Sequence, residues 1–176
     1  MSSVVISGDT SGAITLAAPA VSGTNTATLP AATGTVMVSG NMPAFSAYQS
    51  SAQSVTNSTW TKVQLQTEEF DTNSYFDNTT NYRFTPQIAG YYQVSGSIRV
   101  SSARTQIQVS IYKNGAQFKD LGTDVSANSA QCNGSALIYF NGSTDYVELY
   151  CWIGATQNLT NQVYGTYFQA ALVRGA

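Results

Sequence analysis

The sequence predicts an all-β protein, a sandwich or jelly roll, and three observations carry that reading. Charged residues make up only 9% of the 176, far below the ~25% typical of soluble domains, and Ser, Thr, Asn, Gln and Gly take their place. From about position 43 onward, apolar and polar residues alternate at period two, the spacing of strands with one buried face. No stretch has the i, i+3, i+4 spacing of an amphipathic helix.

The leader, residues 1–42, differs from the rest. Its one charged side chain is Asp9, and it contains no aromatic residue. Val4 to Leu16 reads as short β segments broken by Gly8 and Gly12. The leader is too short, and its apolar residues too small, to form a core. It orders only where neighbouring copies or a virion supply the missing surface; otherwise chain entropy leaves it a disordered leader. Residues 1–42 are therefore expected to be a stalk or attachment segment, and residues 43–176 the head domain.

Within the head, Trp60 to Leu65 alternates, with Val63 and Leu65 opposite Lys62 and Gln64. Gly90 to Val100 places Tyr92, Val94, Ile98 and Val100 on one face, against Gln93, Ser95, Ser97 and Arg99. Ile107, Val109 and Ile111 repeat the pattern and end at Asn114-Gly115, a dipeptide that accepts the positive φ of a tight hairpin turn. Ala136 to Phe140, Tyr146 to Ile153 and Tyr164 to Val173 carry apolar or aromatic residues on both faces. One face can pack against the opposite sheet. With no helix to cover the second, a partner subunit is the economical answer.

Composition also removes several chemistries. There is no His, which excludes Ser-His-Asp and Cys-His catalysis and the commonest transition-metal ligand. A net charge of −2 without a basic cluster argues against nucleic acid. The first residues lack the Lys/Arg start and continuous apolar run of a secretory signal, and no apolar run approaches the ~18 residues of a membrane span, so no membrane insertion is expected. Cys132 and Cys151 read as buried thiols that fill apolar space, with a disulfide left open to whether their strands are neighbours.

Phe76-Asp77-Asn78-Thr79-Thr80-Asn81-Tyr82-Arg83-Phe84-Thr85-Pro86-Gln87-Ile88-Ala89-Gly90-Tyr91-Tyr92 resembles the signature of the complement-1q/tumour-necrosis-factor jelly-roll superfamily. That pattern has an aromatic-Asp pair, a polar turn, then Phe, a five-residue gap and Gly-x-Tyr. Asp145 to Leu149 and Tyr164 to Leu172 resemble the family's last two strands, so the likeness spans about residues 43 to 174. It departs in lacking a collagen stalk and a dense acidic cluster for calcium. The resemblance implies a jelly-roll head assembled as a homotrimer, with chain termini at the base and loops at the far tip.

The leader motifs Ala13-Ile14-Thr15-Leu16, Pro19 to Thr26 and Thr28 to Val36 resemble segments of bacteriophage tail-fibre and other virion-fibre proteins, often just before a receptor-binding head. The implied function is host attachment by a virion protein made in the bacterial cytoplasm and exposed on the particle. It would bind other virion proteins through residues 1–42 and a cell-surface glycan or protein through the head. The alternative is a capsid head-fibre or decoration protein with a purely structural role.

Candidate sites follow. Glu68, Glu69, Asp71 and Asp77 raise paired-carboxylate chemistry, but adjacent strand residues point to opposite faces, and Asp in a polar turn commonly bonds its own backbone. No enzymatic activity, cofactor or metal is therefore expected; calcium at Asp71, Asn73 or Asp77 has no EF-hand-like spacing behind it. Recognition needs aromatics among amides and hydroxyls on loops. The stretches Asp71–Tyr82, Phe118–Asn133 and Ala155–Tyr164 qualify, with Tyr75, Asn78, Phe118 and Tyr164 as receptor contacts. Core or subunit packing is the competing reading for each aromatic. Phe84, Tyr92, Tyr150, Trp152, Tyr167 and Phe168 are assigned to trimer or core packing.

Overall fold

The computed structural model describes residues 3–21, 23–28, 31–104, 106–125 and 129–176. Met1, Ser2, Ser22, Leu29 and Pro30 of the leader, and Ser126, Ala127 and Asn128 of the second candidate loop, lie outside the described residues. The chain divides into two compact units, Met1–Gly34 and Thr35–Ala176.

In the first unit, β1 (Ser3–Ser7) and β2 (Ala13–Ala17) pair antiparallel. Gly8 N–H donates to Gly12 O at 2.9 Å, and Gly12 has a φ of +79°, which glycine adopts without strain. The register sets Val4 opposite Leu16 and Ile6 opposite Ile14. All four side chains share one face, and each is more than half exposed. A lone hairpin of this size is marginally stable in water.

The second unit contains β3 (Ala44–Tyr48), β4 (Ser54–Val55), β5 (Thr61–Lys62), β6 (Thr67–Asp71), β7 (Phe76–Asp77), β8 (Arg83–Phe84), β9 (Gly90–Arg104), β10 (Ile107–Lys113), β11 (Ala116–Asp124), β12 (Ser129–Phe140), β13 (Val147–Ile153), β14 (Gln157–Asn158) and β15 (Tyr167–Gly175). One sheet runs β12-β9-β15-β3-β6; the other runs β11-β10-β13-β8-β7, with β5 also paired to β13. β14 and β4 form a small two-stranded ribbon. Among the described residues there is no α-helix, only a 3-10 turn at Ser39–Asn41.

The two sheets enclose an aromatic centre. Phe45 stacks on Phe84 and Phe76 with centroids 4.5 and 4.7 Å apart, and Tyr92 meets Phe140 edge-on at 5.1 Å. Phe84, Tyr92 and Phe168 are fully buried. The Tyr92 hydroxyl satisfies itself by donating to Ile88 O at 2.8 Å. β9 and β10 place Tyr92, Val94, Ile98 and Val100, then Ile107, Val109 and Ile111, inside, while Ser97 and Ser110 on the alternate face are covered as well. Val63 and Leu65 are also fully buried, although ladder pairing beside them is confined to Thr61–Lys62. Cys132 and Cys151 are free and buried.

One expectation needs correction and another is narrowed. Phe118–Asn133 is not a loop: its residues mostly belong to β11 and β12. β11 is an edge strand, exposed along nearly its whole length and rich in polar residues. It therefore shows no apolar alternation, and pairing with β10 across the Asn114-Gly115 turn makes it a strand. Tyr150 and Trp152, assigned to trimer or core packing, lie outside the sandwich core, which leaves subunit packing as the reading for them. On β13 the buried positions are Val147, Leu149, Cys151 and Ile153, so Tyr150 and Trp152 point outward, half-buried on the solvent face of the six-stranded sheet. Tyr150 stacks there on Tyr112 with centroids 3.8 Å apart.

Candidate functional site

The strand order fixes which end of the head each loop occupies. β3 starts beside the end of β15, where Leu172 N–H donates to Pro43 O at 3.0 Å and Ala176 N–H to Ala89 O at 3.2 Å. Asp71 pairs with Phe45, so the segment leaving β6 lies at this same end. The 159–166 segment lies at the opposite end: Thr160 N–H donates to Arg99 O, and the Asn161 amide reaches Ser50 O. Of the candidate contacts, Tyr75 is therefore near the chain's entry into the head and Tyr164 is remote from it.

The two sheets present outward faces of different chemistry. On the five-stranded sheet, Tyr91, Leu137, Tyr139, Val173 and Phe70 are 41%, 56%, 44%, 61% and 51% exposed. Leu137, Gln93, Ala171 and Ala44 stand in one cross-strand row, and Ser135, Ser95, Gln169 and Ser46 in the next, without a charge in either. A hollow of about 290 Å³ lies here, lined by Ala44, Phe70, Gln93 and Ala171 among others. Tyr167 belongs to the same sheet and is half-buried. The six-stranded sheet instead shows Tyr112, Tyr150 and Trp152 beside a Lys62–Glu148 ion pair of 2.8 Å.

A shallow polar cleft of about 410 Å³ runs along the β7–β8 hairpin, lined by Ser74, Tyr75, Asn81, Arg83, Thr85 and Gln87, with Phe76 and Asp77. Phe76 pairs with Phe84 and Asp77 with Arg83, so the buried rings anchor the hairpin while the charged pair faces out. Asp77 organises the turn. Its Oδ1 accepts from Thr79 N–H, Thr79 Oγ1 and Thr80 N–H, and its Oδ2 from Asn81 N–H and Nδ2, all at 2.7–3.1 Å. These donors, the Thr80 N–H foremost, hold its carboxyl far below the usual carboxylate range despite the opposing effect of burial. Ser74 and Tyr82 adopt φ of 57° and 51°, the left-handed region that costs energy for non-glycine residues, and they set the bends on either side of the cleft.

The structure brings Tyr75 to this cleft and leaves Asn78 at the hairpin tip, outside the lining. Phe118 is 47% exposed on β11, with the Lys113 and Lys119 ammoniums 5.7 and 5.5 Å from its ring. Tyr164 is 60% exposed, with the Arg99 guanidinium 5.5 Å away, beside a shallow hollow shared with Glu69, Val163 and Tyr167. Arg83 and Gln87 were absent from the sequence-based candidates. Their place follows from the pairing of β8 with β7 and β13, which brings Arg83 and the segment after it against the hairpin.

Asp71 and Glu69 are each engaged by neighbouring donors. Asp71 Oδ1 accepts from Asn73 N–H at 3.2 Å and Oδ2 from Phe76 N–H at 2.7 Å. Glu69 is the extra residue of a bulge between the Glu68 and Phe70 pairings, so the strict alternation expected to separate it from Glu68 is broken there. Its carboxylate accepts from Ser46 Oγ at 2.7 Å. Glu68 is pushed up by partial burial and then by the charge of Asp71. Among the described residues, no group of three or more Cys, Asp or Glu side chains is placed to hold a metal ion, and no helix is long and apolar enough to cross a membrane.

No protein-family profile and no curated protein matches the sequence. Solved structures do. Murine APRIL superposes with a TM-score of 0.57 at 10% identity, covering 75% of this chain and 99% of its own. The globular domain of zebrafish complement 1qA gives 0.54 at 17%, covering 76% and 98%. PRD1 vertex protein P5, from a phage, gives 0.57 at 13%, covering 76% and 96%. At such identities the likeness speaks to the fold alone: this chain carries the complement-1q/tumour-necrosis-factor-like jelly roll.

Proposed function

We propose that this chain is a homotrimeric virion-surface protein of a bacteriophage, whose head recognises the host cell and whose residues 1–42 attach it to the particle. The observation that carries the proposal is the outward face of the five-stranded sheet, which exposes Tyr91, Leu137, Tyr139 and Val173 and whose two central cross-strand rows hold no charged residue. A face with Leu137, Tyr139, Tyr91 and Val173 each more than 40% exposed is costly to leave in water. Two further copies would cover it in a closed assembly. The β1–β2 hairpin, with Val4, Ile6, Ile14 and Leu16 uncovered, has the same need. Three heads on one foot would turn weak contacts into useful avidity. The role is one of binding, without catalysis.

The test is binding of labelled full-length protein to a panel of bacterial strains, with free sugars as competitors. Saturable, strain-selective binding supports host recognition. Absence of binding to every strain, including the host of the parent particle, moves the assignment to a structural capsid decoration. That second reading draws support from PRD1 vertex protein P5, which its name places at a vertex rather than on a tail.

A further inference from the structure

We propose that the cleft along the β7–β8 hairpin is a binding site for a carboxylated sugar unit, such as a hexuronate, with its carboxylate held in the fork of Arg83. The inference rests on the host-recognition reading and names the ligand class and the site.

Arg83 is the cation of this cleft that lacks a counter-ion. Its guanidinium carbon lies 4.5 Å from the Tyr146 ring centroid, and among the described residues it enters no hydrogen bond or ion pair. Stacking occupies the face of a guanidinium and leaves its in-plane N–H donors free. Those donors match a planar carboxylate in a bidentate pair.

The two acids beside Arg83 in the ladder are already engaged. Asp77 takes five donors from its own turn, and the buried Glu148 is bound to Lys62 at 2.8 Å. Lys62 is held a second time, by Asn81 O at 3.2 Å, so it does not compete for the ligand.

The remaining lining suits a polyhydroxylated ring. Tyr75 supplies an aromatic wall, and Ser74, Thr85, Asn81 and Gln87 supply neutral hydroxyl and amide groups. Gln87 Nε2 is tied to Thr85 O and Ser143 O, and Asn81 Nδ2 to Asp77. Both amide groups are thereby oriented with a carbonyl oxygen left to accept from sugar hydroxyls. The volume falls in the lower part of the range of small-molecule pockets.

The experiment is ligand-observed saturation-transfer NMR on the full-length protein with sodium glucuronate, glucose and glucose 6-phosphate. Glucuronate is expected to bind saturably, and glucose at least tenfold more weakly. Arg83→Gln is expected to weaken glucuronate at least tenfold, and Arg83→Lys, which keeps the charge but loses the fork, to weaken it measurably. Circular dichroism and mass would confirm that both variants keep the wild-type fold and assembly. Equal binding of glucose and glucuronate, unchanged binding by Arg83→Gln, or no saturable glucuronate binding overturns the proposal. Tighter binding of glucose 6-phosphate overturns the carboxylate assignment in favour of a phosphate. Strain-selective cell binding that persists in Arg83→Gln leaves host recognition standing without this site; loss of all cell binding by the wild type removes the reading beneath it.

Discussion

Asp77 shows how one ionised side chain fixes a loop. Asp77→Asn keeps the shape but removes the charge that the five donors hold, and about 1 kcal/mol of stability should go with it, the order by which a charge-assisted hydrogen bond exceeds a neutral one. The sign of the pH dependence follows from the direction of the shift. The native carboxyl titrates below its unfolded value of about 3.9. Its contribution is therefore complete above that pH and shrinks as pH falls toward the lower native value. Urea midpoints of wild type and Asp77→Asn should differ at pH 7 and converge at acid pH; a constant gap would contradict this account. The cysteines make a second prediction. Burial pushes the Cys151 thiol up to about 12, and burial followed by the charge of Asp124 pushes Cys132 up. Since the thiolate is the nucleophile, neither should react with an aromatic disulfide reagent in the folded protein at pH 8, and both should react promptly in denaturant.

Among the elements, β11 and β12 meet where glycine permits it. A Cβ on Gly134 would collide with the carbonyl oxygen of Leu121, and one on Gly122 would come within 3.0 Å of Asn133 O and 3.1 Å of Cys132 Sγ. Gly134→Ala should cost about 1–3 kcal/mol through forced backbone displacement, lowering Tm by about 2–4 °C per kcal/mol in a chain of this size. An unchanged thermal melt would show that the seam can open without penalty. The elements also show what could be read from residues alone. β9 and β10 were legible because one face is core and the other is Ser, Gln and Arg, which forces a clean alternation. β11 was not, because an exposed edge strand of Gln, Lys, Asp and Thr buries nothing and looks like a loop. Tyr150 and Trp152 were open between core and subunit packing because large aromatics suit both; the fold puts them on the outside of a sheet. Of the cleft, Ser74 to Asn81 fell within the candidate stretch Asp71–Tyr82, with Tyr75 named in it as an aromatic in a polar loop. Arg83 and Gln87 acquire meaning from the pairing of β8 with β7 and β13, which no local pattern states.

At the scale of the whole molecule, the two sheet faces make the assembly testable. Light scattering of the wild-type protein should give three times the 18.7 kDa of one chain. Leu137→Glu, which places a charge on a side chain 56% exposed in the single chain, should lower the mass without changing the β-sheet circular dichroism. A monomeric wild type would remove the inter-subunit explanation of this face. The strand order has one more consequence, for synthesis. β15 is the last strand of the chain in order, yet it lies in the middle of the five-stranded sheet, between β9 and β3. Until Tyr167–Gly175 has left the ribosome, β9 and β3 each keep an open hydrogen-bonding edge, and β3–β6 has no join to β12–β9 within its own sheet. Such long-range closure is slow and leaves sticky edges while it waits. A message cut short before Tyr167 therefore yields no partial head, only an aggregation-prone chain. Emergence of β15 thus becomes the checkpoint for closing the head.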